Sequence, residues 1–272
     1  GLSTAVETTR VVHAADGRRL LEHLERSDEA MNDAIASRFT SRQHLIFDAD
    51  DTLWENNIHF ERAIEDFLDY LAHSTLNRDQ VRAVLDEIEI ANFRVHGYGS
   101  AAFSRNLRAT YERLAERDLN DDDLRVVMQF GERILSQPIE LIAGVEDTLA
   151  RLAEVHDLTL MTKGQQEEQQ LKIDRSGIGS YFRHAEIVPE KDSAAYRFLA
   201  ESLGLDPGRT WMIGNSPKSD INPALAAGLN AVFIPHHATW RLEHQEIDRG
   251  LGSGELLQVA RFADLAGCFL AG

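Results

Sequence analysis

The 272-residue sequence contains a single cysteine, Cys268, so no internal disulfide can form. This cysteine usage suits a reducing compartment, and we expect a cytoplasmic protein. No apolar run approaches the roughly 20 residues that span a bilayer. Residues 1–10 lack the basic flank and apolar stretch of a secretory signal. The sequence therefore predicts a protein without a membrane segment.

Basic residues are also scarce, because 28 lysines and arginines stand against 45 aspartates and glutamates, a formal net charge of −17. Such a charge disfavours nucleic acid and anionic membranes as partners. It also repels a phosphate dianion at long range. Any phosphate chemistry in this protein therefore needs local positive charge, from a metal ion, a lysine or backbone N–H groups that point at the anion.

The most informative segment is 44–54, where a short apolar strand is followed at once by Asp48, Asp50, Asp51 and Thr52. In an open α/β sheet, ligands bind just beyond the carboxyl ends of the strands. Asp48 and Asp50 are two residues apart, which on an extended backbone directs both side chains to the same side. Crowded carboxylates favour a hard divalent cation, and we expect Mg²⁺. The alternative is a solvated loop whose aspartates cap the next helix.

The rest of the chain has two kinds of pattern. Helical periodicity dominates residues 58–141, whereas short apolar strands alternate with helices after Pro138. Asn222 is the predicted N-cap of a short helix, and the predicted strands are 158–162, 210–214, 231–234 and 256–259. Strands separated by helices are typical of a parallel sheet covered on both faces. We therefore predict an α/β fold with a parallel sheet core (44–57 and 142–272), an inserted helical domain (58–141) and an N-terminal helical extension (1–43).

Polar side chains also follow the later strands. Six of them have the chemistry of an anion or metal site: Thr162, Lys163, Gly164, Lys191, Asn215 and Asp220. They offer a hydroxyl, two ammonium groups, a glycine that lets backbone N–H groups approach an anion, and two oxygen ligands. Each has a plain explanation alone, such as a turn residue or a surface charge. Their order, each near a strand end, favours one common site.

Four motifs of the haloacid dehalogenase superfamily resemble segments of this chain in the same order: Asp48-x-Asp50-x-Thr52, Thr162, Lys191, and Gly214-Asn215 with Asp220. The likeness covers about residues 44–265, and the insert 58–141 resembles the C1-type cap of the first subfamily. The resemblance implies a Rossmann-like core with an all-helical cap. It also implies a Mg²⁺-dependent phosphomonoester hydrolase that acts on a small phosphorylated metabolite, as a monomer or homodimer.

The resemblance also assigns roles. Asp48 would be the nucleophile that forms an aspartyl-phosphate, and Asp50 would protonate the leaving alcohol and then activate water. Thr162 and the N–H groups of Lys163 and Gly164 would hold phosphoryl oxygens, while Lys191 would pair with Asp48. Mg²⁺ would be bound by Asp48, the backbone carbonyl of Asp50, Asn215 and Asp220. We also predict substrate contacts for Trp54, His96 and Tyr98, with an ordinary turn between helices as the alternative for the last two.

Other functions of the same fold stay open. Many relatives have aspartate where this chain has Asn215, so we expect weaker metal binding from the uncharged amide. A metal-free dehalogenase is disfavoured, because that branch generally lacks an acid at the position of Asp50. A phosphomutase differs only in its acceptor, which the cap selects. Phosphonate cleavage would need a cap lysine, and residues 58–141 contain none. A catalytically weak binding module is the remaining alternative.

Overall fold

The computed structural model describes residues 41–270, so the predicted N-terminal helices lie outside the described residues. Six parallel strands form one sheet: β1 (His44–Phe47), β2 (Asp157–Lys163), β3 (His184–Val188), β4 (Thr210–Gly214), β5 (Asn230–Phe233) and β6 (Leu256–Gln258). Their order across the sheet is β3-β2-β1-β4-β5-β6. The predicted α/β fold is confirmed, and β1 lies at the centre of the sheet.

Helices separate the strands. The described helices are α1 (Asn57–Leu71), α2 (Arg78–His96), α3 (Ser100–Leu114), α4 (Asp121–Glu132), α5 (Val145–Val155), α6 (Gln166–Ser176), α7 (Ser193–Ser202), α8 (Asn222–Ala226) and α9 (Leu265–Phe269). Among residues 41–270, no helix is both long and apolar enough to cross a membrane.

The sheet is buried on both faces around β1. Ile46 packs with Met212 of β4 and with Tyr196 and Leu199 of α7 in one apolar cluster. Because successive side chains of a strand point to opposite faces, Phe47 faces the other side, where its ring contacts Phe182 and Phe262 with centroids 6.0 and 5.7 Å apart. Such burial stabilises the fold by about 1.5 to 3 kcal/mol per large side chain.

Helices α1 to α4 form a separate cluster between β1 and β2, which we call the cap. Phe67, Leu85, Leu107 and Val127, one from each helix, are at most 1% exposed and pack together. Local signals set the helix starts. Asn77 and Gln80 form a capping box at α2, and Asn120 caps α4 ahead of three aspartates in its first turn.

The strand β3 is absent from the sequence prediction. It alternates polar and apolar residues, and His184 and Glu186 contact each other at 2.8 Å (Nε2 to Oε2). As an edge strand it has only β2 as a neighbour, so it needs no continuous apolar run. The sequence 184–188 therefore carries too weak a signal for a strand to be predicted.

Candidate active site

The carboxyl ends of four strands meet at one cavity of about 150 Å³. In the sheet, Phe47 pairs with Leu160 of β2 and with Ile213 of β4. This register brings Asp48, directly after β1, beside the ends of both neighbouring strands. Seven predicted polar residues of the core line the cavity: Asp48, Asp50, Thr162, Lys163, Lys191, Asn215 and Asp220. Cap residues form the remaining wall.

Asp48 and Lys191 form a buried ion pair at the floor of the cavity. The side chain of Lys191 is 1% exposed, and its Nζ lies 2.5 Å from Asp48 Oδ1 and 2.9 Å from Asp220 Oδ1. Burial disfavours the ammonium, but the charges of Asp220 and Asp48 raise the pKa of Lys191 above its ordinary range. Burial and the Asp220 carboxylate raise the pKa of Asp48 to about 7, and Lys191 opposes that rise. Lys191 is therefore a permanent cation between two carboxylates.

Asp50 is held by three donors. Lys172 Nζ lies 3.0 Å from both carboxylate oxygens, Gln169 Nε2 donates to Oδ2 at 3.1 Å, and Trp54 Nε1 donates to Oδ1 at 2.8 Å. Lys172 also donates to Asn56 Oδ1 at 2.8 Å. Sequence analysis missed Gln169 and Lys172. The available signal was their spacing of three on α6, the helix after Thr162, which puts both side chains on one face.

Asp51 has a different role from its two neighbours. Its Oδ1 accepts hydrogen bonds from the backbone N–H groups of Asn56 and Asn57, at 2.9 and 3.0 Å. Asp51 also has a left-handed backbone with a φ of 62°. It therefore caps the start of α1, which is the role that the alternative interpretation gave to all of these aspartates. All three aspartates line the cavity, but among the described residues only Asp51 accepts from these two N–H groups.

The oxygen atoms around Thr52 fit a hard cation. Thr52 Oγ1 lies 2.9 Å from Asp48 Oδ2 and 3.1 Å from Asn215 Oδ1. A hydroxyl has a single proton, so it can satisfy only one of these two acceptors at a time. The surplus of acceptor oxygens, with no sulfur or imidazole beside them in this wall, matches the ligand preference of Mg²⁺.

Asp220 is fully buried, and both of its oxygens have donors. Oδ1 accepts from Lys191, and Oδ2 accepts from the backbone N–H of Ser216 at 2.9 Å. A Cβ at Gly214 would lie 2.2 Å from Asp220 Oδ2, so the glycine of this motif leaves the space that Asp220 occupies. In this arrangement Asp220 orients Lys191.

Lys163 lines the cavity but its ammonium is already paired. Nζ lies 2.6 Å from Glu243 Oε1, 2.9 Å from Ser219 Oγ and 4.3 Å from the centroid of the Tyr98 ring. Burial opposes ionisation of Glu243, but Lys163 and the hydroxyls of Ser216 and Ser219 lower its pKa to about 2. Sequence analysis missed Glu243, a lone acid in a 3-10 turn whose partner lies 80 residues away.

Some of the groups at the end of β2 that are predicted to bind a phosphoryl group already make hydrogen bonds within the protein. Thr162 Oγ1 accepts a hydrogen bond from Gln169 Nε2 at 2.6 Å. The hydroxyl proton of Thr162 has no acceptor among the described residues. The N–H of Gly164 donates to the backbone carbonyl of Val188 at 3.0 Å, so it is already paired within the protein, and its predicted contact with a phosphoryl oxygen stays a prediction. Gly164 still lines the cavity, with a φ of 143° that favours glycine.

The three predicted substrate contacts differ in position. Tyr98 lines the cavity and donates to Glu190 Oε2 at 2.6 Å, which joins the cap to the core. Trp54 is 1% exposed and lies outside the cavity lining, and its indole N–H donates to Asp50 Oδ1 at 2.8 Å. The side chain of His96 is exposed at the end of α2 and also lies outside the lining. The structure thus brings only Tyr98 of the three to the cavity.

A second group of potential ligands lies outside the cavity. One ligand atom each from Glu55, His236 and His237 lies within 4.8 Å of the others. His236 Nδ1 accepts a hydrogen bond from the N–H of Ala238 at 3.2 Å, which places the ring proton on Nε2. That nitrogen lies 3.0 Å from Glu55 Oε2, but neither atom has a hydrogen-bond partner among the described residues.

The fold and the cavity together define a class, an α/β enzyme with an acid-lysine site at the carboxyl end of a parallel sheet. Residues 43–228, more than half of the chain, match the family model of haloacid dehalogenase-like hydrolases. The chain belongs to this family and is therefore an enzyme of the hydrolase class.

Similar proteins include both phosphatases and dehalogenases. A haloacid dehalogenase-like hydrolase from Xanthomonas campestris has a TM-score of 0.71 at 29% identity, over 85% of this chain and 94% of that one. The N-acylneuraminate-9-phosphatase of Rattus norvegicus is 22% identical over 69% of this chain and 79% of its own length. A 2-haloacid dehalogenase from Pseudomonas syringae matches in fold, with a TM-score of 0.54 at 20% identity over 82% and 96%.

Proposed function

We propose that this hydrolase is a Mg²⁺-dependent phosphomonoesterase that acts on a small phosphorylated metabolite. The observation that carries the proposal is Asp50, a second carboxylate beside the Asp48–Lys191 pair, which lines the cavity and is held there by Lys172 and Gln169. Phosphate ester cleavage needs a group that protonates the leaving alkoxide. Displacement of a halide needs no such proton, so Asp50 argues against a dehalogenase.

The first step transfers the phosphoryl group to Asp48. An oxygen of Asp48 bonds to phosphorus while the bond between phosphorus and the ester oxygen breaks. Lys191 holds Asp48 and offsets the negative charge that accumulates around it. Asp50 gives its proton to the leaving oxygen, and Lys172 stabilises the carboxylate that remains.

The second step returns Asp48 to its starting state. Asp50 takes a proton from a water molecule, the resulting hydroxide bonds to phosphorus, and the bond to Asp48 breaks to release inorganic phosphate. In a phosphomutase, a sugar hydroxyl would take the place of that water. The same carboxylate therefore serves as acid and then as base, and the contact with Lys172 keeps it aimed at the cavity.

Mg²⁺, when bound, offsets negative charge on the transferring group. Asp48 Oδ2, Asn215 Oδ1 and the backbone carbonyl of Asp50 are the oxygens that we assign to it, and Asp220 contributes by orienting Lys191. Asn215 brings no charge, so we expect weaker affinity than for an all-carboxylate set. The cytoplasmic location and the monomeric or homodimeric state stay predictions from the sequence.

The test is hydrolysis of 4-nitrophenyl phosphate by the purified protein with Mg²⁺, with a chelator, and with the variant Asp48→Asn. The matched control is Asp122→Asn, which changes an exposed aspartate of α4 that does not line the cavity. We expect turnover that needs both the metal and Asp48 and that survives the control substitution. Turnover that persists in Asp48→Asn, or that ignores the chelator, would contradict the proposal.

A further inference from the structure

The cap wall of the cavity contains a buried carboxylate without a donor. Glu89 of α2 lines the cavity and is 7% exposed, and its Oε2 accepts no hydrogen bond from any described residue. The cap part of the cavity lining also contains the polar Asn57 and Asn106 and five apolar side chains: Phe60, Ile64, Phe93, Ala102 and Phe103. A buried polar group without a partner is costly, so its presence beside a ligand cavity needs an explanation.

The neighbouring arginine does not satisfy Glu89. Arg82 donates through Nη1 and Nη2 to the two carboxylate oxygens of Glu61, at 2.7 and 2.9 Å, and through Nε to Asp86 Oδ1 at 3.0 Å. Its guanidinium is thus committed to two other acids. Burial raises the pKa of Glu89 to about 7, and the charge of Arg82 only opposes that rise.

The charge of this wall also selects against anions. Among the described cap residues that line the cavity, Arg82 is the only cation, while Glu61 and Glu89 are both acids. Residues 58–141 contain no lysine that could change this balance. Ionised Glu61 and Glu89 would repel a carboxylate on the organic part of the substrate, whereas a hydroxyl would donate a hydrogen bond to Glu89 without bringing positive charge.

We propose that Glu89 binds an ammonium group on the organic part of the substrate, so that the preferred substrates are phosphomonoesters of amino alcohols. This inference rests on the proposed phosphomonoesterase activity, in which the phosphoryl group faces Asp48 and the organic part faces the cap. An ammonium supplies both the donors and the positive charge that Glu89 lacks. The cap lining also contains the aromatic residues Phe60, Phe93 and Phe103, a residue type whose ring face attracts cations.

The experiment compares three series of alkyl phosphates with matched chain lengths, which end in an amino, a hydroxyl or a carboxyl group. We expect the wild-type kcat/KM to be about 10- to 100-fold higher for the best amino member than for the matched hydroxyl member, the range of a charged hydrogen bond. The carboxyl series should be the slowest. Equal rates for the amino and hydroxyl series at every length would overturn the inference.

Two variants locate the effect. Glu89→Gln keeps the shape and removes the charge, and it should bring the ratio of kcat/KM between the amino and hydroxyl series to about 1. The control Glu87→Gln changes an exposed glutamate of the same helix and should keep the preference. A Glu89→Gln variant that keeps the preference would refute the assignment.

A failure of the proposed phosphomonoesterase activity gives a different experimental result from a failure of the Glu89 assignment. If the wild-type protein fails to hydrolyse 4-nitrophenyl phosphate and all three series, the phosphomonoesterase proposal fails. Calorimetric titration of the wild-type protein with the same compounds then tests Glu89 directly. Tighter binding of the amino series supports the inference, and equal binding of the amino and hydroxyl series overturns it.

Discussion

The contact between Lys172 and Asp50 gives the sharpest test of the proton-transfer step. The substitution Lys172→Met keeps an unbranched side chain of four heavy atoms but removes the terminal ammonium. Lys172 is 8% exposed, and its Nζ makes three contacts of 2.8 to 3.0 Å with Asp50 and Asn56. In the variant, Trp54 and Gln169 still donate hydrogen bonds to Asp50. The substitution therefore removes one charged hydrogen bond from Asp50, which is worth about 2 kcal/mol. This corresponds to about a 30-fold lower rate of proton transfer.

The nature of the leaving group separates this effect from a general one. An alkoxide leaves only with a proton, whereas 4-nitrophenolate is stable without one. We therefore expect Lys172→Met to reduce kcat/KM for an alkyl phosphate by about 30-fold and for 4-nitrophenyl phosphate by only about 3-fold. The matched control is Lys218→Met, which changes an exposed lysine. Equal losses for both substrates would refute the role that we give to the Lys172–Asp50 pair.

Two further predictions concern stability. Gly214→Ala places a Cβ 2.2 Å from Asp220 Oδ2, and Lys191 and Ser216 hold the Asp220 carboxylate in place. In a denaturant titration, this variant should therefore have a free energy of unfolding about 1 to 3 kcal/mol lower than that of the wild type. Gly267→Ala is the control and should not be destabilised, because outside its own helix and chain neighbours no atom of residues 41–270 lies within 4 Å of the new Cβ. The pKa of Glu243 is lowered from 4.5 to about 2 in the folded protein, so its contribution to stability is present above about pH 4.5 and is lost as the pH falls toward 2. Between pH 5 and 3 the wild type should lose about 2 kcal/mol more than Glu243→Gln, and parallel pH profiles of unfolding would exclude this contribution.

The sequence predicted the residues that depend on local pattern. Asp48, Thr162, Lys191 and Asn215 each lie near a strand end, and parallel strands place their carboxyl ends at one edge of the sheet. The order of the motifs along the chain was therefore enough to place them in one cavity. β1 was predicted because three consecutive apolar residues precede Asp48.

Other features depend on packing that sequence periodicity does not encode. Gln169, Lys172 and Glu243 contact the site from elements without a motif of their own. Asn222 was expected to cap a helix, but the helical backbone already begins at Pro217 as a π-helical turn. Its side chain instead bonds the backbone of Glu246 and Asp248, at 2.8 and 3.0 Å. The partners in such contacts are set by the tertiary fold.

The most direct test of the central claim is to trap the phosphoryl group on Asp48. In Asp50→Asn, water is no longer activated, so the second step should slow more than the transfer from a good leaving group. After an acid quench during turnover of 4-nitrophenyl phosphate with Mg²⁺, peptide mass spectrometry should find one phosphoryl group, located on Asp48. Release of phosphate with no modified Asp48, or with the phosphoryl group on another residue, would contradict the account.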